Sequence, residues 1–303
     1  ADGNSLKTTD GKSVHLIVGN TTVTGYVEGT ASLARFSSIG GIYQINRTHV
    51  VVSDINNHCL RMVHRETYHT TPFVGRCGAP GNRDGIDPQF YSPWSIDLLS
   101  ENPPVLIVSD YNNNALRAVN LLDRNVSTLP LASKPTNPRS AMLDKSRDAL
   151  FFSIWRQIRK VNLVDYSVEI IAGSGSSGNA DGWSNQATFG DLRGIVKLSE
   201  NVLVVTDTDN RYGNTLRVLD LQQQSVRSIL TGGSDQDADS NIRAGWVPSP
   251  QSLLVVDGFL YIGGSQVMKR VKGEYVFIKF MNTSSEIASL EPVSDCKYPY
   301  LQR

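Results

Sequence analysis

The sequence predicts an all-β fold, a six-bladed ring of four-stranded sheets (a β-propeller) whose last blade is closed by both chain termini. Three observations predict it. First, one phrase recurs: an apolar run ending in Asp, an Asn-rich turn, then Leu-Arg. It stands at Val50–Asp54 with Asn57 and Leu60-Arg61, and at Leu106–Asp110 with Asn113 and Leu116-Arg117. A third copy runs from Val202 to Asp207 and Asn210 and closes, after a small insertion, with Leu216-Arg217. Second, Leu-Arg or its equivalent falls at Lys7, Arg61, Arg117, Arg159, Arg217 and Lys269, roughly 50 residues apart, a spacing that suits four short strands per repeat. Third, the chain begins at a third-strand position and ends near a second, so strands from both ends complete the sixth blade and remove its open edge.

The elements follow in order. Leu6 to Gly19 reads as two strands around Asp10-Gly11. Gly25 to Phe36 is a loop, Ile39 to Ile45 a first strand, and the Asp54 phrase supplies the second and third. The next cycle repeats this with Gly81-Asn-Arg-Asp84-Gly85, Phe90, Pro93-Trp94-Ser-Ile96 and the Asp110 phrase. The third cycle is worn: Ser153 replaces the Asp, Trp155-Arg156 replaces the Asn-rich turn, and no Asp-Gly loop precedes it. The fourth returns to form with Asp181-Gly182, Phe189 and the Asp207 phrase. The fifth is worn again, through Leu260 and Lys269, with an outer strand at Tyr275–Phe280 and room for about two strands from Ile287 on. One domain spans 1–303.

These residues resemble the NHL-repeat propeller family, over nearly the whole chain and most clearly in cycles one, two and four. The matching positions are Asp54, Asn57, Leu60 and Arg61; Asp110, Asn113, Leu116 and Arg117; and Asp207, Asn210, Leu216 and Arg217. Glu28-Gly29 departs from the Asp-Gly pair of the other loops. The repeated carboxylates read as scaffold. An Asp leaving a strand accepts backbone N–H bonds two or three residues on, and Asn tolerates the left-handed position that closes a turn.

Function is bounded largely by exclusion. The formal net charge of zero opposes a nucleic-acid surface, and no apolar run is long enough to span a membrane. The resemblance implies a comparison with amidating lyases, which hold zinc with histidines from separate blades. Here all five histidines (His15, His49, His58, His64, His69) fall in the first quarter of the chain, so no such ring forms. Asp235-Gln-Asp237-Ala-Asp239 lacks the Gly and the terminal Glu of a calcium loop, Trp246 standing at the last position. No cofactor is expected; calcium held by channel oxygens belongs to the alternative reading, an extracellular propeller enzyme of lyase or hydrolase type.

The favoured reading is a non-catalytic adhesion or binding module, secreted or on the outer cell surface, that recognises a protein or a glycan through its loop face. The opening at Ala1, with neither Met nor an apolar leader, fits a mature secreted chain. Cys59 at the start of a third strand and Cys77 after the fourth lie at neighbouring strand ends, which makes a disulfide geometrically feasible. Cys296 is left free, or to pair with another chain or with a segment beyond this one. Sequons at Asn20, Asn46, Asn125 and Asn282 all fall in predicted loops. The residues expected to carry binding are Arg83, Tyr111, Trp155, Arg156, Arg211 and Tyr212, types enriched at interaction hot spots. Trp183 and Trp246 are divided evenly between surface and inter-blade packing.

Overall fold

The computed structural model describes residues 4–9, 14–144, 148–209, 213–231, 250–256, 259–263 and 268–272. They form six antiparallel sheets. The first pairs β1 (Ser5–Thr9) with β2 (Val14–Gly19). The second holds β3 (Gly29–Thr30), β4 (Ile39–Gln44), β5 (His49–Asp54), β6 (Cys59–His64) and β7 (His69–Val74), in the order β3-β7-β6-β5-β4. The third runs from β8 (Pro93–Glu101) through β9 (Pro104–Asp110) and β10 (Ala115–Asn120) to β11 (Val126–Thr128).

The fourth follows with β12 (Ala141–Asp144), β13 (Ala149–Ile154), β14 (Gln157–Asn162) and β15 (Val168–Ala172). The fifth holds β16 (Gly182–Trp183), β17 (Leu192–Ser199), β18 (Val202–Asp209), β19 (Gly213–Asp220) and β20 (Ser225–Thr231), in the order β16-β20-β19-β18-β17. The sixth is β21 (Ser252–Val256), β22 (Phe259–Gly263) and β23 (Met268–Lys272). The expected strands at Tyr275–Phe280 and beyond Ile287, on which closure of the ring rests, lie outside the described residues.

The chain divides into two compact units, one within 1–143 with 164–167, the other within 144–163 with 168–299. In each, the second strand of a sheet is apolar without alternation and fully buried, as in Val51-Val52, Leu106-Ile107-Val108, Leu150-Phe151-Phe152 and Leu203-Val204-Val205. Such runs mean both faces of the sheet are covered. In the first unit, Leu60, Phe73 and Val74 pack with Phe90, Ile96 and Leu106 of the next sheet. In the second, Val204, Leu216 and Val218 pack with Leu260 and Ile262.

First strands of adjacent sheets approach backbone to backbone. A Cβ on Gly40 would overlap the Trp94 carbonyl, and one on Gly41 the Ile96 amide. The small hydroxyl before each repeated Asp serves this approach, and Ser153 is one of these: it pairs with Ile158 as Ser53 pairs with Leu60, so Ile154, and not Ser153 as expected, stands at the Asp position of the third cycle. Ser53 Oγ accepts from Gly41 N–H at 2.6 Å and donates to Trp94 O at 2.9 Å, while Ser153 Oγ donates to Arg193 O at 3.3 Å.

Candidate functional site

In three of the sheets the repeated Asp and Arg side chains converge into a unit, joined in two of them by the repeated Asn; Asn210 lies outside the described residues. Asp54 Oδ2 accepts from Asn57 Nδ2 at 2.8 Å and Arg61 Nη1 at 3.2 Å. Asp110 Oδ2 accepts from Asn113 at 2.8 Å and Arg117 at 2.7 Å, and Asp207 Oδ2 from Arg217 at 3.0 Å. The other oxygen, Oδ1, takes backbone N–H groups from the residues entering the first strand: Ser37 at 2.7 Å, Tyr91 at 2.8 Å, and both Gly190 and Asp191 at 2.9 and 3.1 Å.

Two expectations are corrected here. The Asp donors do not lie two or three residues downstream. They come 16 to 19 residues upstream, so the carboxylate ties the second strand to the head of the first. Nor do Asn57 and Asn113 take the left-handed position. The following residues do, His58 at φ 60° and Asn114 at φ 53°. The Asn amides instead donate a second bond to the loop carbonyls of Gly25 at 2.8 Å and Gly81 at 2.7 Å.

The arginines are hubs that the sequence reading passed over. Arg61, Arg117 and Arg217 are fully buried. Each also donates to two loop carbonyls: Arg35 and Val27, Gln89 and Arg83, Thr188 and Ala180. Each lies over a buried Phe (Phe36, Phe90, Phe189) at 4.9 to 5.3 Å from the ring centre. Burial raises the carboxyl pKa of Asp54 and Asp207 and takes Asp110 up to about 6, against the opposing pull of the Asn, backbone and Arg donors. The donors tie each carboxylate to the loop that covers it, which fixes where that loop sits.

Cys59 and Cys77 form a disulfide, S–S 2.10 Å with Cα atoms 5.0 Å apart. The bond fastens the left-handed turn of the second sheet to the chain leaving β7.

In the first unit, His58 and Tyr111 of the turns between second and third strands meet aromatic and cationic residues from the loops that lead into first strands. His58 faces Tyr91 edge-on at 5.3 Å and accepts the Ser92 N–H at 3.2 Å through Nδ1. Burial lowers the imidazole pKa, which keeps that nitrogen an acceptor. Tyr111 packs against Trp94 at 5.1 Å, and the Arg139 guanidinium lies 4.7 Å from the Trp94 ring centre and 5.3 Å from that of Tyr111. Asn137 holds the turn from the next loop by donating twice, from Nδ2 to Tyr111 O at 3.2 Å and from its backbone N–H to Asn114 Oδ1 at 2.8 Å.

Of the expected binding residues, Tyr111 is therefore half-buried in a stack, with Tyr91 the more exposed ring at 43%. Arg83 is exposed and shares Asp87 with Arg76, at 2.7 and 2.6 Å. In the second unit Trp155 is 47% exposed at a two-residue turn and Arg156 is half-buried beside it; Trp183 is exposed. Arg211, Tyr212, Trp246, the Asp235–Asp239 loop, Cys296 and Asn282 lie outside the described residues. Sequence reasoning placed Trp94 at a strand start and did not join it to Arg139. Only the fold brings together residues from two successive loops.

Asn20 and Asn46 each accept from the sequon threonine Oγ1 at 3.0 Å, Thr22 and Thr48, in tight Asx turns; Asn125 is exposed in a turn. Among the described residues no three His, Cys, Asp or Glu side chains are grouped as metal ligands, and no helix is long and apolar enough to cross a membrane.

No protein-family model matches the chain, and no curated protein matches its sequence. Solved structures do. An auxiliary nutrient binding protein from Bacteroides thetaiotaomicron aligns with TM-score 0.60 at 13% identity, over 89% of this chain and 69% of that one. A chain of the nidogen/laminin complex aligns with TM-score 0.53 at 12% identity, over 85% and 78%. Hydrazine synthase of Kuenenia stuttgartiensis aligns with TM-score 0.54 at 14% identity, over 91% and 74%. At these identities the likeness shows the fold alone, an all-β, propeller-like array of sheets.

Proposed function

We propose that this chain is a non-catalytic binding module, an NHL-type propeller of six blades that recognises a protein or a glycan outside the cell through its loop face. The observation that carries this reading is the exposed Tyr91 ring beside the half-buried Tyr111, which is stacked on Trp94 and held from beneath by the buried Arg139 guanidinium. Rigid aromatic surface beside Arg is the chemistry of interaction hot spots. Flat ring faces also suit sugar C–H surfaces.

The repeated carboxylates, the first candidates for catalysis, are occupied by structural donors, which favours binding over reaction. The disulfide supports an oxidising compartment. The nutrient-binding and nidogen/laminin neighbours lend the reading support by analogy of fold.

The test is a binding screen of the intact chain against glycan and extracellular-protein arrays, repeated with Tyr91→Ala and Trp155→Ala. Loss of a hot-spot ring costs about 2 kcal/mol, close to 30-fold in affinity. A ligand bound equally by both variants overturns the loop-face reading.

A further inference from the structure

Three sheets have their outer edge covered by the chain's own loops. In the β8–β11 sheet, Gly85 N–H donates to Val126 O at 2.8 Å and Val126 N–H returns the bond at 3.0 Å. The preceding Asp84 carboxylate accepts from Thr128 N–H and Oγ1, both at 3.1 Å, and from Arg117 Nη2 at 2.6 Å. The β17–β20 sheet repeats this with Gly182 paired to Val226, and Asp181 accepting from Ser228 N–H at 3.0 Å, Ser228 Oγ at 2.9 Å and Arg217 at 3.0 Å. In the β4–β7 sheet, β3 covers β7, but Pro72 stands at the Thr128 position with no N–H to give. There Glu28 replaces Asp, and Arg61 sits between the Tyr26 and Phe36 rings, each 4.9 Å away.

Among the described residues the β12–β15 sheet lacks this cover along Val168–Ile170; the preceding loop reaches only the chain entering β15, Ala132 N–H donating to Tyr166 O at 3.0 Å. Its register places Val168 and Ile170 where Val126 and Thr128 stand: Val161 pairs with Val168 and Arg159 with Ile170, as Val119 with Val126 and Arg117 with Thr128. No Asp-Gly loop precedes it, and among the described residues no strand lies beyond β15. Arg159 keeps the arginine position without either carboxylate. Ile154 stands at the strand Asp position, pairing with Gln157 as Asp110 pairs with Ala115, and Arg159 Nε and Nη2 both donate to one neutral acceptor, Gln157 Oε1, at 3.2 and 2.8 Å. The neighbouring Glu169 is engaged by Lys160 at 2.9 Å. Ile170 is 55% exposed.

We propose that the β15 edge, together with Arg159, is a docking site for an extended acidic peptide of a partner protein. The peptide adds antiparallel to Val168–Ile170 and sets an Asp or Glu carboxylate on the Arg159 guanidinium. The Asp84-Gly85 and Asp181-Gly182 loops are its template, since they show in the same chain what this register accepts. Strand addition supplies main-chain bonds, and the carboxylate supplies selectivity. An apolar or basic strand would cover the guanidinium without compensating it. This edge is separate from the loop surface of Tyr91 and Tyr111, so the two readings can fail independently.

The probe is a fluorescein-labelled, end-capped peptide with the sequence of Gly178–Ser184, titrated with the intact chain and read by fluorescence anisotropy. Saturable binding is expected, weakened at least ~10-fold by Asp→Asn in the peptide, a change that leaves the protein untouched. Arg159→Gln should weaken it equally. Val168→Pro, which removes an outward N–H without touching the β14 ladder, should abolish it. Ile170→Thr should strengthen it several-fold, and Tyr91→Ala should leave it unchanged.

No saturable binding, or equal binding of the Asn peptide or by Arg159→Gln, overturns the proposal. So does a concentration-dependent dimer in sedimentation velocity that Val168→Pro disperses, because that result assigns the edge to a second copy of the chain.

Discussion

Arg117 and Arg159 occupy the same repeat position and should differ sharply in what the same substitution costs. Arg117 is buried and makes four bonds: to Asp110 at 2.7 Å, Asp84 at 2.6 Å, Gln89 O at 3.2 Å and Arg83 O at 2.9 Å. In Arg117→Gln the Asp110 carboxylate stays buried with only Asn113 and the Tyr91 N–H, and two loop carbonyls lose their donor. Breaking a buried pair in this way costs about 3–5 kcal/mol. Arg159 is half-exposed and bonds only to Gln157, so Arg159→Gln should cost under ~1 kcal/mol. Urea unfolding followed by tryptophan fluorescence and by far-UV circular dichroism measures both, and agreement of the two probes tests whether a single transition is being read. Equal losses in the two variants would refute the assignment of Arg117 as hub. A double variant, Asp110→Leu with Arg117→Met, should recover only the part of the loss that comes from the unpaired carboxylate, because the Gln89 and Arg83 carbonyls and the Tyr91 N–H still lack their partners.

Three further outcomes follow from the same geometry. Cys59→Ser or Cys77→Ser should lower stability by about 3 kcal/mol through the lost 18-residue closure, and dithiothreitol should reproduce the shift in the parent protein only. Gly41→Ala forces a Cβ into the Ile96 amide, so a thermal midpoint matching the parent's would contradict the close strand approach. Expressed through a secretory pathway, the chain should carry glycans at Asn20, Asn46 and Asn125, seen by peptide mass spectrometry as Asn→Asp conversion after enzymatic deglycosylation; Asn125 modified alone would show that the Asx turns block the other two.

Much of the fold was legible because each sheet restates one pattern. The second strands, the Asp-to-Leu-Arg phrase and the Cys59–Cys77 pairing are local or nearly local, and the structure places them as expected. The donors to Asp54 and Asp110 were not legible, since Ser37 and Tyr91 contribute only backbone N–H groups, which any residue supplies. The arginine hub was hidden for a related reason. Its partners are mostly loop carbonyls, and carbonyls leave no trace in composition. The Trp94–Tyr111–Arg139 stack was missed because Arg139 sits in the worn third cycle, where no repeat position flags it.

The departures from the repeat are informative because they come in compensated and uncompensated kinds. Pro72 removes the N–H that Asp84 and Asp181 use elsewhere, and the facing loop carries Glu28, which turns to Tyr26 at 3.1 Å, while Arg61 gains a second ring. That is a closed substitution: a lost donor is matched by a changed acceptor, and β3 still covers its strand. The β12–β15 sheet makes larger changes, with Ile154 at the Asp position and no Asp-Gly loop, yet Arg159 stands at the arginine position. A scaffold arginine whose carboxylates are gone serves its own sheet little and costs desolvation, as the lowered pKa of Arg159 through burial records. A cation placed beside a strand edge without loop cover is the asymmetry that a carboxylate brought by another chain would resolve.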